Sequence, residues 1–256
     1  MTKTVAVANQ KGGVGKTTTT VNLAAACGAA GKKVLLIDAD PQGNTTSAYG
    51  YFKKSAEQKT TYSVLTGEAE IESAIQRTNF KNVSILTSNV DLAAAEIELA
   101  EISGRESVLK HALEKIKEAY DFIFIDCPPS LNLITINALT AADSVLVPIQ
   151  CEFFALEGLS QLMNTVRRIK KLYNPTLDIE GVLLTMYDGR LNLTLQVAGE
   201  IKKFFPGKVF KTAIPRNVRL SEAPSYGMPV IYFDKYSKGA ESYTELAAEF
   251  IRKNRK

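Results

Sequence analysis

Lys11-Gly12-Gly13-Val14-Gly15-Lys16-Thr17-Thr18 is where this sequence first offers chemistry. An apolar, β-rich segment, Thr4 to Ala8, precedes it, and a helix-like stretch, Thr18 to Ala30, follows. A strand, a glycine-rich turn and a helix start make a phosphate cradle. The glycines let backbone N–H groups converge on phosphate oxygens, and the helix N-terminus adds partial positive charge. Lys16 is placed to reach the β- and γ-phosphates, and the Thr17 hydroxyl to ligate Mg²⁺. Measured against the pattern G-x-x-x-x-G-K-[ST], Gln10 stands where the first glycine belongs and a second lysine, Lys11, opens the loop. A charge at that position lies beside phosphate or projects from the mouth of the site.

Three aspartates extend this chemistry. The second strand ends in Ile37-Asp38-Ala39-Asp40-Pro41-Gln42-Gly43. Carboxylates two residues apart point the same way in extended chain. Ligands of open α/β sheets bind beyond the carboxyl ends of the strands, so both aspartates are expected near the phosphates. Asp126 closes Phe124-Ile125-Asp126-Cys127-Pro128-Pro129, and an apolar strand ending in Asp is the Walker B arrangement that holds Mg²⁺ directly or through water. Asp38 is a further candidate, through water. One mechanism uses all of them. Lys16 and the loop amides of Gly12, Gly13, Val14, Gly15, Thr17 and Thr18 bind the phosphates of ATP, Thr17 and Asp126 hold Mg²⁺, and Asp40 positions or activates the attacking water. Phosphoryl transfer needs mainly positioning and charge neutralisation. No arginine finger is evident; Lys11 could supply that charge from a second copy, which predicts a nucleotide sandwich dimer.

The elements that must position these residues alternate. Short apolar strands are expected at Lys33 to Ile37, Val83 to Leu86, Tyr120 to Ile125, Ser144 to Ile149, Ile179 to Thr185, Val209 to Lys211 and Val230 to Tyr232. Amphipathic helical periodicity marks residues 91–102, 105–119, 155–173, 193–205 and 239–252. This order predicts an α/β fold of the P-loop NTPase type: a mostly parallel, twisted sheet with helices on both faces. Continuously apolar strands such as Phe122 to Ile125 and Ser144 to Ile149 are the mark of strands buried on both faces. No long linker, repeat or low-complexity segment interrupts the pattern, so residues 1–256 are expected to form a single domain. Residues 49–62, polar and lysine-rich, read as a surface excursion.

Composition narrows the alternatives. Hydrophobic residues make up 45% and charged residues 23% of the 256, ordinary for a globular protein. No apolar run approaches the roughly 18–20 residues of a membrane span. The first strand begins almost at once, which predicts no signal peptide. Cys27, Cys127 and Cys151 are odd in number and far apart, which fits a reduced, cytoplasmic compartment. His111 is the single histidine, so a histidine triad or multi-histidine metal site is not expected. Residues 1–128 carry 14 Lys+Arg and 15 Asp+Glu, net −1, and residues 129–256 carry 17 and 12, net +5. The basic half is compatible with a footprint for nucleic acid or anionic lipid. Arg190 follows the turn signal Tyr187-Asp188-Gly189, and Arg216 and Arg219 flank Asn217-Val218 in a loop-like stretch. Exposed loop arginines suit phosphate contacts that fix position without reading sequence.

As a set, these motifs resemble the ParA/Soj partitioning ATPases, within the deviant Walker A superfamily that also holds MinD and the nitrogenase iron protein. KGGVGKTT carries that superfamily's signature lysine at Lys11; DADPQGN (38–44) and FIFIDCPPSL (122–131) look like its second and Walker B motifs. ALEGLSQLMNTV (155–166), EGVLLTMYDGR (180–190) and IPRNVRLSEAPSYGMPV (214–230) look like ParA/Soj in particular. The resemblance implies an ATP-dependent homodimer, non-specific binding of double-stranded DNA by that dimer, and slow hydrolysis stimulated by a ParB/Spo0J-type centromere-binding protein on the nucleoid. By motif position it makes Lys11 the lysine that acts across the dimer and Asp40 the hydrolysis aspartate. Pro215 and Asn217 would line the adenine pocket, and Arg190 and Arg219 would contact DNA. A MinD-like membrane-surface ATPase is the alternative, and an ATP-dependent metabolic enzyme on the same fold a third reading. MinD-like chains end in an amphipathic membrane helix; here residues 245–256 read as a last packing helix with a basic, solvated tip and no membrane contact. A helix-turn-helix for operator binding is not expected, and no cysteine pair suits a bridging cluster.

Overall fold

The computed structural model describes residues 2–51 and 58–255; the polar stretch 49–62 therefore lies partly outside the described residues. Among the described residues seven strands form one sheet: β1 (Lys3–Val7), β2 (Val34–Asp38), β3 (Gln76–Arg77), β4 (Val83–Leu86), β5 (Phe122–Asp126), β6 (Ser144–Gln150) and β7 (Asp178–Thr185). Their order is β3-β4-β2-β5-β1-β6-β7. All pairings are parallel except that of the two-residue edge strand β3 with β4. The glycine loop leaves the sheet from β1, which lies between β5 and β6, so the loop sits over the middle of the sheet's carboxyl edge.

The helices are α1 (Lys16–Ala29), α2 (Asn44–Ala48), α3 (Thr61–Leu65), α4 (Ile71–Ala74), α5 (Ala95–Glu98), α6 (Val108–Glu114), α7 (Leu133–Ala141), α8 (Ala155–Leu172), α9 (Asn192–Phe204), α10 (Val218–Glu222), α11 (Val230–Phe233) and α12 (Lys238–Lys253). Side chains alternate along each strand, so every central strand feeds two cores. Ala6, Leu35, Ile37, Ile123 and Ile125 point to the face covered by α3 to α9. Val5, Val7, Val34, Leu36, Phe122 and Phe124 point to the face covered by α1, α2 and α10 to α12. Phe250 of α12 seats against Phe122 and Phe124, with ring centroids 5.0 and 5.4 Å away. Burying such a ring stabilises the fold by about 1.5–3 kcal/mol. The apolar face of α12 is thereby spent on the core, as expected for a packing helix, and among the described residues no helix is long and apolar enough to cross a membrane.

Two expected strands are not strands. Val209 makes only an isolated bridge to Val182, and Val230–Phe233 is a helical turn. Pro229 starts that turn: its carbonyl accepts from the Tyr232 and Phe233 N–H groups, while Asn22 Oδ1 of α1 accepts the Val230 N–H at 2.7 Å. The periodicity at 91–102 marks the correct buried positions, Leu92, Ala95 and Leu99, but the chain there is broken into short α and 3₁₀ turns. The expected helix over 105–119 is continuous only over α6. Helix α7 had no periodic signal, because its residues are apolar on several sides.

Candidate nucleotide site

The loop's geometry follows from its glycines. Gly13 (φ 73°) and Gly15 (φ 85°) take the left-handed conformation that side chains resist. Gly15 is the N-cap of α1, and no side chain caps that helix. Its first-turn N–H groups are left for a ligand, where an anion is favoured. Val14 is buried and its carbonyl accepts the Thr185 hydroxyl at 2.8 Å, tying the loop to the end of β7. Lys16 is 7% exposed. Burial lowers its pKa, opposed by the charges of Asp126 and Asp40. Its Nζ donates to the Lys11 carbonyl at 3.2 Å, folded over the loop where phosphate oxygens would take that place.

Asp126 sits in a cage of hydroxyls. Thr17 and Thr45 donate to Oδ2 at 2.8 and 2.7 Å, and Thr20 donates to Oδ1 at 3.1 Å. Because the Thr17 proton goes to Asp126, its oxygen lone pairs are free to face a cation. Asp38 is the register partner of Asp126 on the neighbouring strand, and both are fully buried. Burial raises both pKa values above the usual carboxylate range, and their proximity adds to that of Asp38, against the hydrogen bonds each accepts.

Asp38 and Asp40 do not face the same way. Asp38 turns into the protein, where its Oδ2 accepts the Thr46 N–H and hydroxyl at 2.8 and 2.7 Å and its Oδ1 accepts the Asp40 N–H at 3.1 Å. It anchors the first turn of α2. Asp40 lines the cavity and accepts the Gln42 N–H at 2.9 Å. β2 ends at Asp38, whose carboxylate curls back to take the Asp40 N–H and is held by Thr46, so the two carboxylates have different partners.

That cavity holds about 550 Å³. One end is polar, with Gly12, Gly13, Gly15, Lys16, Thr17 and Asp40; the other is formed by Met186, Ile214, Pro215, Asn217 and Leu220. Pro215 and Asn217 both line this cavity. Asn217 also caps α10, its Oδ1 accepting the Arg219 N–H at 3.1 Å. Among the described residues no three His, Cys, Asp or Glu gather to hold a metal. The donor set fits Mg²⁺, which takes one or two carboxylates and completes its shell with water and substrate phosphates. A second hollow, about 630 Å³ and lined by Thr2, Lys117, Tyr120 and Asp143, lies at the opposite end of the sheet and has no glycine loop.

Val14, Asp38 and Asp126 are buried behind the cavity lining, and Lys11, Arg190 and Arg219 lie away from it. Lys11 is turned to Glu152, Nζ to Oε2 at 2.6 Å. Arg190 is exposed and pairs with both oxygens of Asp188 at 2.8 and 2.6 Å, which holds that carboxyl down to about 2. Arg219 pairs with Glu222 at 2.7 Å and Asp234 at 3.2 Å. Sequence reasoning missed Thr20, Thr45, Thr46 and Glu152. The run Asn44-Thr45-Thr46 beside two strand-end aspartates was the available signal for two of them.

The profile of the AAA domain family matches residues 2–179. The sporulation initiation inhibitor protein Soj of Bacillus subtilis is 57% identical over 249 residues, spanning 97% of this chain and 98% of that one. The chromosome partitioning protein ParA of Caulobacter vibrioides is 49% identical over 255 residues, covering 99% of this chain and 95% of its own. Among solved structures, a cobyrinic acid a,c-diamide synthase from Mycobacterium smegmatis with bound ADP and magnesium superposes with a TM-score of 0.86. It is 38% identical and covers 98% of this chain and 95% of that one.

Proposed function

This chain belongs to the ParA/Soj family of P-loop partitioning ATPases, and we propose that it partitions DNA as an ATP-switched homodimer, with residues 1–256 acting as one domain. The convergence of Lys16, Thr17 and Asp40 on one cavity, with Asp126 directly behind Thr17, carries the reading. ATP binds with its phosphates on Gly12 to Thr18 and its adenine against Pro215 and Asn217. Thr17 and Asp126 hold Mg²⁺, the latter through water, and Asp38 supports from behind. Bound Mg²⁺ supplies charge neutralisation on the phosphate oxygens. Asp40 orients the attacking water. Lys11 leaves Glu152 and reaches the phosphates of a second copy. This exchanges a half-exposed ion pair, worth about 0–1 kcal/mol, for a contact with several negative oxygens. Arg190 and Arg219 exchange their carboxylate partners for phosphates of double-stranded DNA. Those contacts are indifferent to base sequence, and place the ATP-bound dimer on the nucleoid within the cytoplasm. A ParB/Spo0J-type partner stimulates hydrolysis and releases it.

The test is sedimentation of the Asp40→Ala chain with ATP and arbitrary duplex DNA at two salt concentrations. We expect an ATP-dependent complex that persists without turnover and weakens by about 0.9 log units in K per phosphate contact per log unit of salt. A chain that sediments with anionic liposomes instead is a MinD-like surface ATPase. One that binds ATP but neither DNA nor lipid fits the metabolic reading suggested by the diamide synthase's name.

A further inference from the structure

Helix α8 carries a second stripe beside the one that faces the core. Leu159, Leu162, Val166 and Ile169 are buried against the sheet. Leu156 and Met163 are partly buried on the neighbouring stripe, and Ser160 and Arg167 complete it at helical spacing. The end of α9 stands opposite, with Phe205 half-buried and Phe204 66% exposed. Between them lies a recess of about 310 Å³, lined by Leu156, Leu159, Met163, Arg167, Phe204 and Phe205. It shares no lining residue with the nucleotide cavity.

The rim of this recess is basic. From Gly158 to Leu177 the sequence has Arg167, Arg168, Lys170 and Lys171 and no acid. Glu157 precedes them, in the first turn of α8. Lys202 and Lys203 lie on the last turn of α9. Of these six cations only Lys203 forms an ion pair among the described residues, with Glu200 at 2.7 Å. Arg167 donates to the Asn164 amide oxygen at 3.1 Å and has no carboxylate partner there. Arg190 and Arg219, by contrast, each hold one. Unpaired cations around an apolar recess offer a field for anions and a surface for hydrocarbon at one place.

We propose that this recess docks an acidic amphipathic helix of a partner protein. The stripe from Leu156 to Arg167 runs for about three helical turns. A partner helix of that length presents apolar anchors at i, i+3 or i+4 and i+7, and the recess receives the largest of them against Phe204. Met163 adapts to the side chain it meets. Asp and Glu flanking the anchors face Arg167 and the cations that follow it, and complementary charge sets orientation and speeds encounter. A DNA duplex would satisfy the cations but offers nothing to Leu156, Met163 and Phe204. A flat bilayer would leave the recess unfilled. A helix uses both features. The inference does not rest on the nucleotide reading.

The experiment is fluorescence anisotropy of the full chain with two labelled peptides of about four turns. One has leucine at helical spacing and glutamate elsewhere; the other has lysine in place of glutamate. The Leu/Glu peptide should bind at least about tenfold tighter, because opposite charge at the rim replaces like charge. Phe204→Ser changes an exposed side chain, so its thermal midpoint should match the parent's. It should nevertheless weaken the Leu/Glu peptide by about 5–30-fold, the range for an anchor residue. Arg167→Glu should weaken that peptide by up to about fivefold and narrow the gap between the two. No binding of the Leu/Glu peptide, equal affinity for both peptides, or a Phe204→Ser chain that binds as the parent does overturns the proposal. The parent and Phe204→Ser chains are also titrated with a duplex of arbitrary sequence and with vesicles of phosphatidylcholine and phosphatidylglycerol. Loss of either on Phe204→Ser, with peptide binding intact, makes the recess a nucleic-acid or lipid site and overturns the proposal as well.

Discussion

Replacing Thr45 by the isosteric valine should destabilise the nucleotide-free protein, and by an amount that depends on pH. Thr45 is fully buried and its hydroxyl donates to Asp126 Oδ2 at 2.7 Å. A hydrogen bond to a charged group contributes about 1.5–3 kcal/mol net, a neutral one about 0.5–1.5. Asp126 is already raised above the usual carboxylate range by burial, and the hydroxyls of Thr45, Thr17 and Thr20 pull it back down. Removing one of them raises it further. A carboxyl raised on folding contributes stability that is fully present below its unfolded pKa and is lost as pH rises through the folded value. The variant, with the higher folded pKa, goes on losing stability after the parent has levelled off, by about 1.4 kcal/mol for each unit of extra rise. At about pH 5, with Asp126 largely protonated in both chains, the difference should be the neutral bond alone; at about pH 8 it should reach about 1.5–3 kcal/mol. Urea unfolding of both chains with chelator at the two pH values measures it. A difference that is the same at both, or absent at the higher, would show that Thr45 does not hold the Asp126 charge.

Three further outcomes are expected. Gly227→Ala places a Cβ 2.6 Å from Gly50 Cα at φ 64°, and should cost about 2–4 kcal/mol from left-handed strain plus overpacking; an unchanged urea midpoint would refute the close approach. Glu180 is buried beside Lys3 and Lys253 and accepts from Ser144 and Asn254; burial raises its pKa, but those groups hold it below the usual range. Glu180→Gln should therefore lose about 1–3 kcal/mol at neutral pH, and the loss should shrink as pH falls through the depressed value, where the parent carboxyl is neutral too. Gly12→Val should bind ATP nearly as the parent does but fail to dimerise in light scattering, because a Cβ at Gly12 meets nothing within 4 Å in the single chain and is left to a second one.

The sequence made legible what neighbours along the chain decide. The cradle of Gly12 to Thr18 needs glycines at two left-handed positions and a helix start directly after them, and all of these lie within eight residues. Asp126 was readable because an apolar strand buried on both faces ends there. Asp38 and Asp40 were misread as a pair, because their directions are set by how α2 folds back at Gly43 and offers Thr46 to Asp38. The β-branched run at 230–232 favoured a strand by propensity, but Pro229 and a side chain from α1, 208 residues earlier, made it a helical turn.

Partners that lie across the sheet were invisible for the same reason. Thr45 meets Asp126 from 81 residues away and Glu152 meets Lys11 from 141; neither spacing has a local signature. The arginines illustrate what this costs a functional reading. Sequence predicts that Arg190 and Arg219 are exposed, and the structure agrees, but it also puts a carboxylate on each. An exposed pair of this kind is worth about 0–1 kcal/mol, so a phosphate can displace it. Two such exchanges per chain leave a single copy with little net gain from DNA. A dimer doubles the phosphates neutralised without adding a translational cost for the second set. Under this reading the carboxylates of Asp188, Glu222 and Asp234 offset part of what a lone chain would gain from DNA; Asp188 and Glu222 lie within three residues of their arginines, and only Asp234 is brought in by the fold.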